Sequence, residues 1–321
     1  MSAADESVLH GPSPEAQALA AMYADELALF RDPGTPRLSP VQQRAQFDEQ
    51  MSQVATVADD VVAERTEVGG VPGEWVTVPE SSPARVVLYL HGGGYVLGSP
   101  PAYRELASRL ARAAKARVLV VDYRQAPEHP FPAALDDAVG TYAALLQSGH
   151  EPSRVVLAGD SAGGGLAVAA LVQIRDSGLA LPAGAACLSP WVDLQRDGGA
   201  ASPFEDLAPE QLEEWSQLYL AGADAGDPLA SPVYAALEGL PPTLIHVGGS
   251  ETLRDDAVRL ADALSNAGSA ATLRIFDGLV HIFQVVPELP ETEDSVGQIG
   301  AFFLGLTSCP PGRALWRNDV E

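Results

Sequence analysis

Apolar residues gather along this chain in two periods. Short runs rich in β-branched residues recur: VVLYL (86–90), RVLVVDY (117–123), RVVLAG (154–159), AACLS (185–189), TLIHV (243–247) and TLRIF (272–276). Most are separated by stretches whose apolar positions return every three or four residues, as in LAVAALVQI (166–174). The short runs read as strands buried on both faces, and the longer stretches as helices laid against them. Strands that alternate with helices run parallel, so the pattern predicts a parallel sheet covered by helices on both sides. Ahead of it, VVAERTEV and EWVTV flank GGVPG and predict an antiparallel pair that extends the sheet. The first 55 or so residues differ: PEAQALAAMYADELALF and PVQQRAQFDEQM predict two helices broken by RDPGTPRLSP. A second helix-rich stretch, about 194–222, interrupts the rhythm between two strands. Ligands bind beyond the strand ends in open α/β sheets, and both helical segments are expected to roof that edge. The competing expectation is that they are packing helices at the periphery. The implied organisation is a pair of cap helices over 1–55 and an α/β domain over 56–321 carrying the cap insertion.

Composition narrows what such a fold does. With 321 residues, 46% of them hydrophobic, the chain can bury a large core. Its 43 acidic residues against 19 basic ones give a net charge of −24, which disfavours nucleic acid and anionic membrane surfaces, since both present phosphate. Small neutral or cationic ligands suit it better. Cys187 and Cys309 are too few for a disulfide framework and are not spaced as a metal clip. A reducing cytoplasm fits, and neither a signal segment nor a stretch of about 20 apolar residues is evident.

Two motifs carry chemistry. In Gly159-Asp160-Ser161-Ala162-Gly163 a strand ends, a sharp turn follows and an apolar helix begins, which is the context of a nucleophile elbow. The glycines on either side of Ser161 remove side chains that would collide with a strained serine backbone. A phosphate-cradling turn is the rival reading of the pentapeptide alone. The second motif, His91-Gly92-Gly93-Gly94-Tyr95, follows directly on VVLYL. Acyl transfer builds a negative oxygen, and a glycine run lets backbone N–H groups approach it closely. The G-x-G-x-x-G spacing of a dinucleotide turn is absent. Asp160 reads as a structural carboxylate of the elbow.

Together HGGGYV, DYRQAPEHPFPAALDD (122–137) and GDSAGG resemble the hormone-sensitive-lipase-like branch of the α/β-hydrolase esterases. LSPWVDL, DPLASP, LPPTLIHVGGSETLRDDA and GLVHIF follow in that family's order, so the similarity covers roughly 60–305. The resemblance implies an α/β-hydrolase fold with a mostly parallel eight-stranded sheet and a helical cap. It implies hydrolysis of short-chain carboxylic esters with no cofactor and no metal, and N–H groups of Gly93, Gly94 and Ala162 as oxyanion donors. Relatives also imply a homodimer through an edge strand or a late helix.

The general base follows by elimination, because this fold orders its triad Ser, acid, His. His10, His91, His129 and His150 precede Ser161, and His246 lies inside an apolar strand as a core or supporting histidine. His281 alone comes late, on the loop after TLRIF. The acid belongs on the loop after TLIHV, which offers Glu251, Asp255 and Asp256. Many relatives hold aspartate at the matching position; here Glu251 stands there. Asp255 remains the alternative, although LRDDAVRLADAL already reads as a helix whose first turn that carboxylate would cap. Tyr95, Val96, Trp191, Val192 and Phe283 adjoin these elements and are candidates to line the substrate pocket, with core packing as the competing role. The same apparatus in relatives also cleaves amides, lactones or N-acetyl groups. Receptors built on this fold lack the histidine, whereas Ser161 and His281 are both present here.

Overall fold

The computed structural model describes residues 12–32, 34, 37–195 and 206–308. The first 11 residues, positions 33, 35 and 36 of the segment between the leading helices, 196–205 of the insertion, and Cys309 with everything after it lie outside the described residues. Helices α1 (Pro14–Arg31) and α2 (Pro40–Val54) come first. They precede β1 (Val62–Val68), β2 (Val71–Thr77), β3 (Ser82–Leu90), α3 (Arg104–Ala114), β4 (Ala116–Val121), α4 (Ala133–Gln147) and β5 (Val155–Asp160). There follow α5 (Ala162–Asp176), β6 (Gly184–Leu188), α6 (Pro209–Leu220), β7 (Thr243–Gly248), α7 (Arg254–Asn266), β8 (Ala271–Phe276) and α8 (Pro290–Ser308).

The strands form one sheet in the order β1-β2-β4-β3-β5-β6-β7-β8. Only β2 opposes its neighbours, β1 and β4; the other pairs are parallel. Side chains alternate between the faces, so Val86, Leu88 and Leu90 enter one core with α4, α5 and α7 residues such as Leu135, Leu166 and Leu260. Val87 and Tyr89 enter the other, with Leu110 of α3 and Ile299 and Phe303 of α8. This is the two-sided cover that the alternation predicts.

The leading hairpin departs from expectation at one end. Gly69 (φ 66°) and Gly70 (φ 83°) alone make the turn, both in the left-handed geometry of a type I′ connection. Val71, Pro72 and Gly73 already belong to β2, three residues before EWVTV. They resemble turn material because glycine and proline punctuate turns, yet each has a ladder role. The Pro72 carbonyl accepts from Asp122 N at 3.0 Å. Gly73 lies opposite Val121, where a Cβ would stand 2.8 Å from the Val120 carbonyl oxygen, so only glycine permits that approach.

Candidate active site

Four neighbouring parallel strands, β5 to β8, end along one edge, and the chemistry-bearing residues sit just past those ends. Ser161 joins β5 to α5 at φ 52° and ψ −121°. L-residues rarely adopt that geometry, and strain of this kind costs on the order of 1–3 kcal/mol. Four backbone hydrogen bonds hold it. Ser161 N donates to Leu188 O at 2.8 Å, and Ser161 O accepts from Gly164 N (3.0 Å), Gly165 N (3.1 Å) and Trp191 N (2.9 Å). A Cβ at Gly159 would fall 2.6 Å from Leu90 O and onto the Gly163 carbonyl, and one at Gly163 would run into Leu90 O and the His91 carbonyl. The flanking glycines are therefore required, but by β3 as much as by the elbow itself. The Ser161 side chain makes no capping bond to α5.

His281 and Glu251 meet as the sequence predicts. Glu251 is fully buried beyond β7, and its Oε1 faces His281 Nδ1 at 3.2 Å. Its Oε2 accepts from Ser189 Oγ and from Gly248 N, each at 2.7 Å. The Ser189 hydroxyl in turn accepts from Ile282 N at 3.2 Å, so one hydroxyl links Glu251 to the loop that carries His281. Burial pulls the His281 pKa down, but the Glu251 bond and the charges of Glu251, Asp206 and Asp160 outweigh it and hold the imidazole above its ordinary value. Burial raises the Glu251 carboxyl, against the opposing pull of its His281 bond. Asp255 is exposed in the first turn of α7 and does not reach this pair. It is not the helix cap either: the N-cap is Leu253, with no side-chain capping bond, and Asp255 is an acidic residue of the first turn, where a negative charge suits the helix dipole. Asp256 is buried and accepts from Val192 N and Asp193 N at 3.1 Å each.

The glycine loop after β3 passes beside the elbow. Gly93 (φ 105°), Gly94 (φ 62°) and Tyr95 (φ 63°) all have left-handed backbone. Asp160 pins the loop: its Oδ1 accepts from Gly92 N (2.9 Å) and Tyr89 OH (2.8 Å), and its Oδ2 from Tyr103 OH (3.0 Å). Burial pushes this carboxyl up to about 6 despite those bonds. His91 stacks on Tyr123 at 4.4 Å, holds Gly92 O at 2.8 Å through Nδ1, and is kept neutral by burial, with a pKa of about 4. Among the described residues, the backbone N–H groups of Gly93, Gly94 and Ala162 donate to no other backbone group. The last of these also belongs to the positive end of α5.

The candidate lining residues are all buried and packed against protein. Tyr95 stacks on Tyr219 of α6, ring centroids 3.8 Å apart and nearly parallel. Trp191 lies 6.2 Å from Tyr95, and its indole N–H donates to Asp193 O. The Val96 carbonyl accepts from Arg44 of α2 at 2.7 Å. Val192 joins the same core cluster, whereas Phe283 stands apart, packed under α1 with Ala16 and Leu19. His246 is a core histidine bonded to Ser295 at 2.8 Å, and burial lowers its pKa to about 3. Sequence reasoning missed four residues that touch the machinery: Ser189, Asp206, Trp215 and Tyr23. Trp215 of α6 lies against Gly94, where its ring would meet any added Cβ. Tyr23 of α1 donates to the His281 carbonyl at 3.1 Å. Ser189 had a usable signal, a polar residue ending an apolar strand; the others come from segments with no motif. Among the described residues, no group of three or more His, Cys, Asp or Glu could hold a metal ion, and no helix is long and apolar enough to cross a membrane. Cys187 is a core thiol, pushed up to about 12 by burial.

Sheet order, elbow, and the order in which Ser161, Glu251 and His281 follow one another define an α/β hydrolase. Residues 87–285 match the family model described as the alpha/beta hydrolase fold. An acetyl-hydrolase of Streptomyces hygroscopicus is 47% identical over 240 residues, covering 73% of this chain and 80% of that protein. The crystal structure of an esterase from the bacterial hormone-sensitive lipase family superposes with a TM-score of 0.85 at 42% identity, covering 93% of this chain and 100% of that one. EstE5, crystallised and soaked with p-nitrophenyl butyrate, gives a TM-score of 0.85 at 37% identity over 92% of this chain and 100% of its own. The chain belongs to the hormone-sensitive-lipase-like family of α/β hydrolases.

Proposed function

We propose that this protein is a serine carboxylesterase that hydrolyses short-chain acyl esters through Ser161, His281 and Glu251. The observation that carries the reading is the buried Glu251–His281 pair, at the sheet edge where Ser161 is held in left-handed geometry. The ester carbonyl oxygen settles against the N–H groups of Gly93, Gly94 and Ala162. His281 takes the Ser161 proton as Oγ attacks the carbonyl carbon, and the tetrahedral oxyanion forms against those donors. Collapse breaks the C–O bond to the alcohol, which leaves with the proton from His281. Water then repeats the cycle on the acyl-enzyme, and the carboxylic acid departs. Glu251 holds the imidazole tautomer and offsets the charge it gains. A fluorophosphonate probe tests the core of the proposal: it labels the wild type and not Ser161→Ala.

Helices α1, α2 and α6 are assigned as the cap. Their contacts support the assignment: Tyr23 bonds the His281 carbonyl, Arg44 bonds Val96 O and Ala126 O at 2.7 Å each, and Trp215 covers Gly94. Removing residues 1–55 is therefore expected to reduce kcat strongly while the sheet still folds. The melting temperature falls too, because Leu279, Val280 and Phe283 lose their cover. A truncated protein with wild-type kcat refutes the cap role; activity and circular dichroism on the same preparation decide.

Crowded aromatic rings around the glycine loop favour acyl chains of about two to six carbons. On a series of p-nitrophenyl esters, butanoyl is expected to turn over faster than dodecanoyl, and the reverse order overturns the short-chain reading. The 47% identical acetyl-hydrolase favours acetyl as one accepted group, and an acetate ester compared with the matching N-acetyl amide separates ester from amide preference. We assign the protein to the cytoplasm, in keeping with a buried, unpaired Cys187. A homodimer through β8 is in keeping with that strand's outer position and the exposed Ile275.

A further inference from the structure

We propose that Asp206 is a positioning residue that locks the loop of the base to the loop of the acid. The proposal rests on the Ser161–His281–Glu251 reading. Asp206 stands three residues before α6, in the insertion between β6 and β7. Its Oδ2 accepts from the backbone N–H of His281 at 2.6 Å. Its Oδ1 accepts from both the N–H and the hydroxyl of Thr252, at 2.8 and 2.7 Å. One carboxylate thus spans the base and the residue immediately after the acid, which belong to loops following different strands.

The need for such a clamp is visible in the site. The Glu251–His281 contact is 3.2 Å, long for a charge-assisted bond, so side-chain attraction alone does not fix the ring. His281 lies beyond β8, an edge strand of the sheet, which among the described residues has a neighbour on one side only. Its backbone is instead gripped at both polar atoms, N–H by Asp206 and carbonyl by Tyr23 of α1. Bonds from N–H to an ionised carboxylate are about twice as strong as neutral ones, which makes Asp206 the firmer grip. The contact places a second negative charge near the imidazole. The charged groups facing His281 are Glu251 from the β7 loop, Asp206 from the insertion and Asp160 from the elbow. Each favours the imidazolium that forms as Ser161 attacks.

A carboxylate that merely staples two loops would alter stability alone. One that positions and polarises the base also alters kinetics and their pH dependence. In Asp206→Asn one of the three bonds becomes a donor facing a donor, and the charge is lost. Displacement of a catalytic group by about 1 Å can cost 10²-fold, so kcat for p-nitrophenyl butanoate is expected to fall by about 10- to 100-fold with KM little changed. The acid limb of kcat/KM follows deprotonation of His281. Removing a nearby negative charge makes the imidazolium less favourable, so the limb moves to lower pH. Asp206→Glu keeps the charge and misplaces the oxygens: kcat falls, but the limb stays at its wild-type position. An Asp206→Asn enzyme whose limb does not move, or whose kcat stays near wild type, overturns the proposal even if its melting temperature drops. Should Asp206→Asn fail to fold, the Asp206→Glu profile decides alone, with wild-type kcat as the refuting result. Turnover retained in Ser161→Ala would instead bring down the reading of the site itself.

Discussion

Ser161→Ala lowers kcat for a short-chain p-nitrophenyl ester by about 10⁶-fold, the loss expected when the nucleophile of such a triad is removed. A residual rate of about 10³–10⁴ over water persists, because substrate binding and the N–H groups of the glycine loop are untouched. Folding hardly notices. The hydroxyl makes no capping bond to α5, and alanine keeps the Cβ whose strained geometry the elbow already supports. Ser161→Gly separates the two roles further: it is equally inactive, and relief of the left-handed strain offsets the added freedom of glycine in the unfolded chain. The glycine variant is therefore expected to melt no lower than the alanine one, despite the usual cost of glycine. Steady-state kinetics with calorimetry check both halves; more than a hundredth of wild-type kcat in Ser161→Ala means that another group attacks the ester.

Glu251→Ala is expected to reduce kcat by about 10³–10⁴-fold, because His281 loses the partner that fixes its tautomer and balances its charge. Stability also falls, by about 1–3 kcal/mol, since Ser189 Oγ and Gly248 N lose a common acceptor in a fully buried place. Asp255→Ala does neither. That carboxylate is exposed in the first turn of α7 and contributes at most about 1 kcal/mol through the helix dipole. Kinetics and thermal melts on the two variants give opposite signatures. If Asp255→Ala loses activity by thousands while Glu251→Ala does not, the acid is misassigned.

The fold was legible because its strands are short apolar runs and its helices hold a regular period, both local properties. The elbow and the glycine loop were legible for a related reason: strained backbone demands glycine at particular offsets, and glycine is visible in a sequence. The contact between His281 and Glu251 was anticipated from elimination among the histidines and from position on the loop after β7. The start of β2 was misread because Pro72 and Gly73 look like turn residues, and their ladder role depends on β4, which follows them by more than 40 positions. Asp206, Tyr23 and Trp215 were invisible for the same reason. Each acts through contacts with a distant segment, and an aspartate, a tyrosine and a tryptophan in amphipathic stretches carry no local mark of that. The lining residues were named from adjacency in sequence, and adjacency does not report direction: Phe283, two positions from His281, packs under α1.

The strand order also sets a timetable for the polypeptide as it is made. Ser161 follows β5, yet His281, its base in the proposed reading, follows β8, 120 positions later in the chain. At a synthesis rate of about 5–20 residues per second, the ribosome spends about 6–24 seconds between the two. Throughout that interval the proposed nucleophile is present and its proposed base is not. Among the described residues β8 pairs with β7 alone, and α8 then returns across the sheet to pack on α3, so the same late segment that brings His281 also closes the second core. On the proposed reading, hydrolysis thus waits for the same segment that completes the β7–β8 pair and the α3–α8 packing.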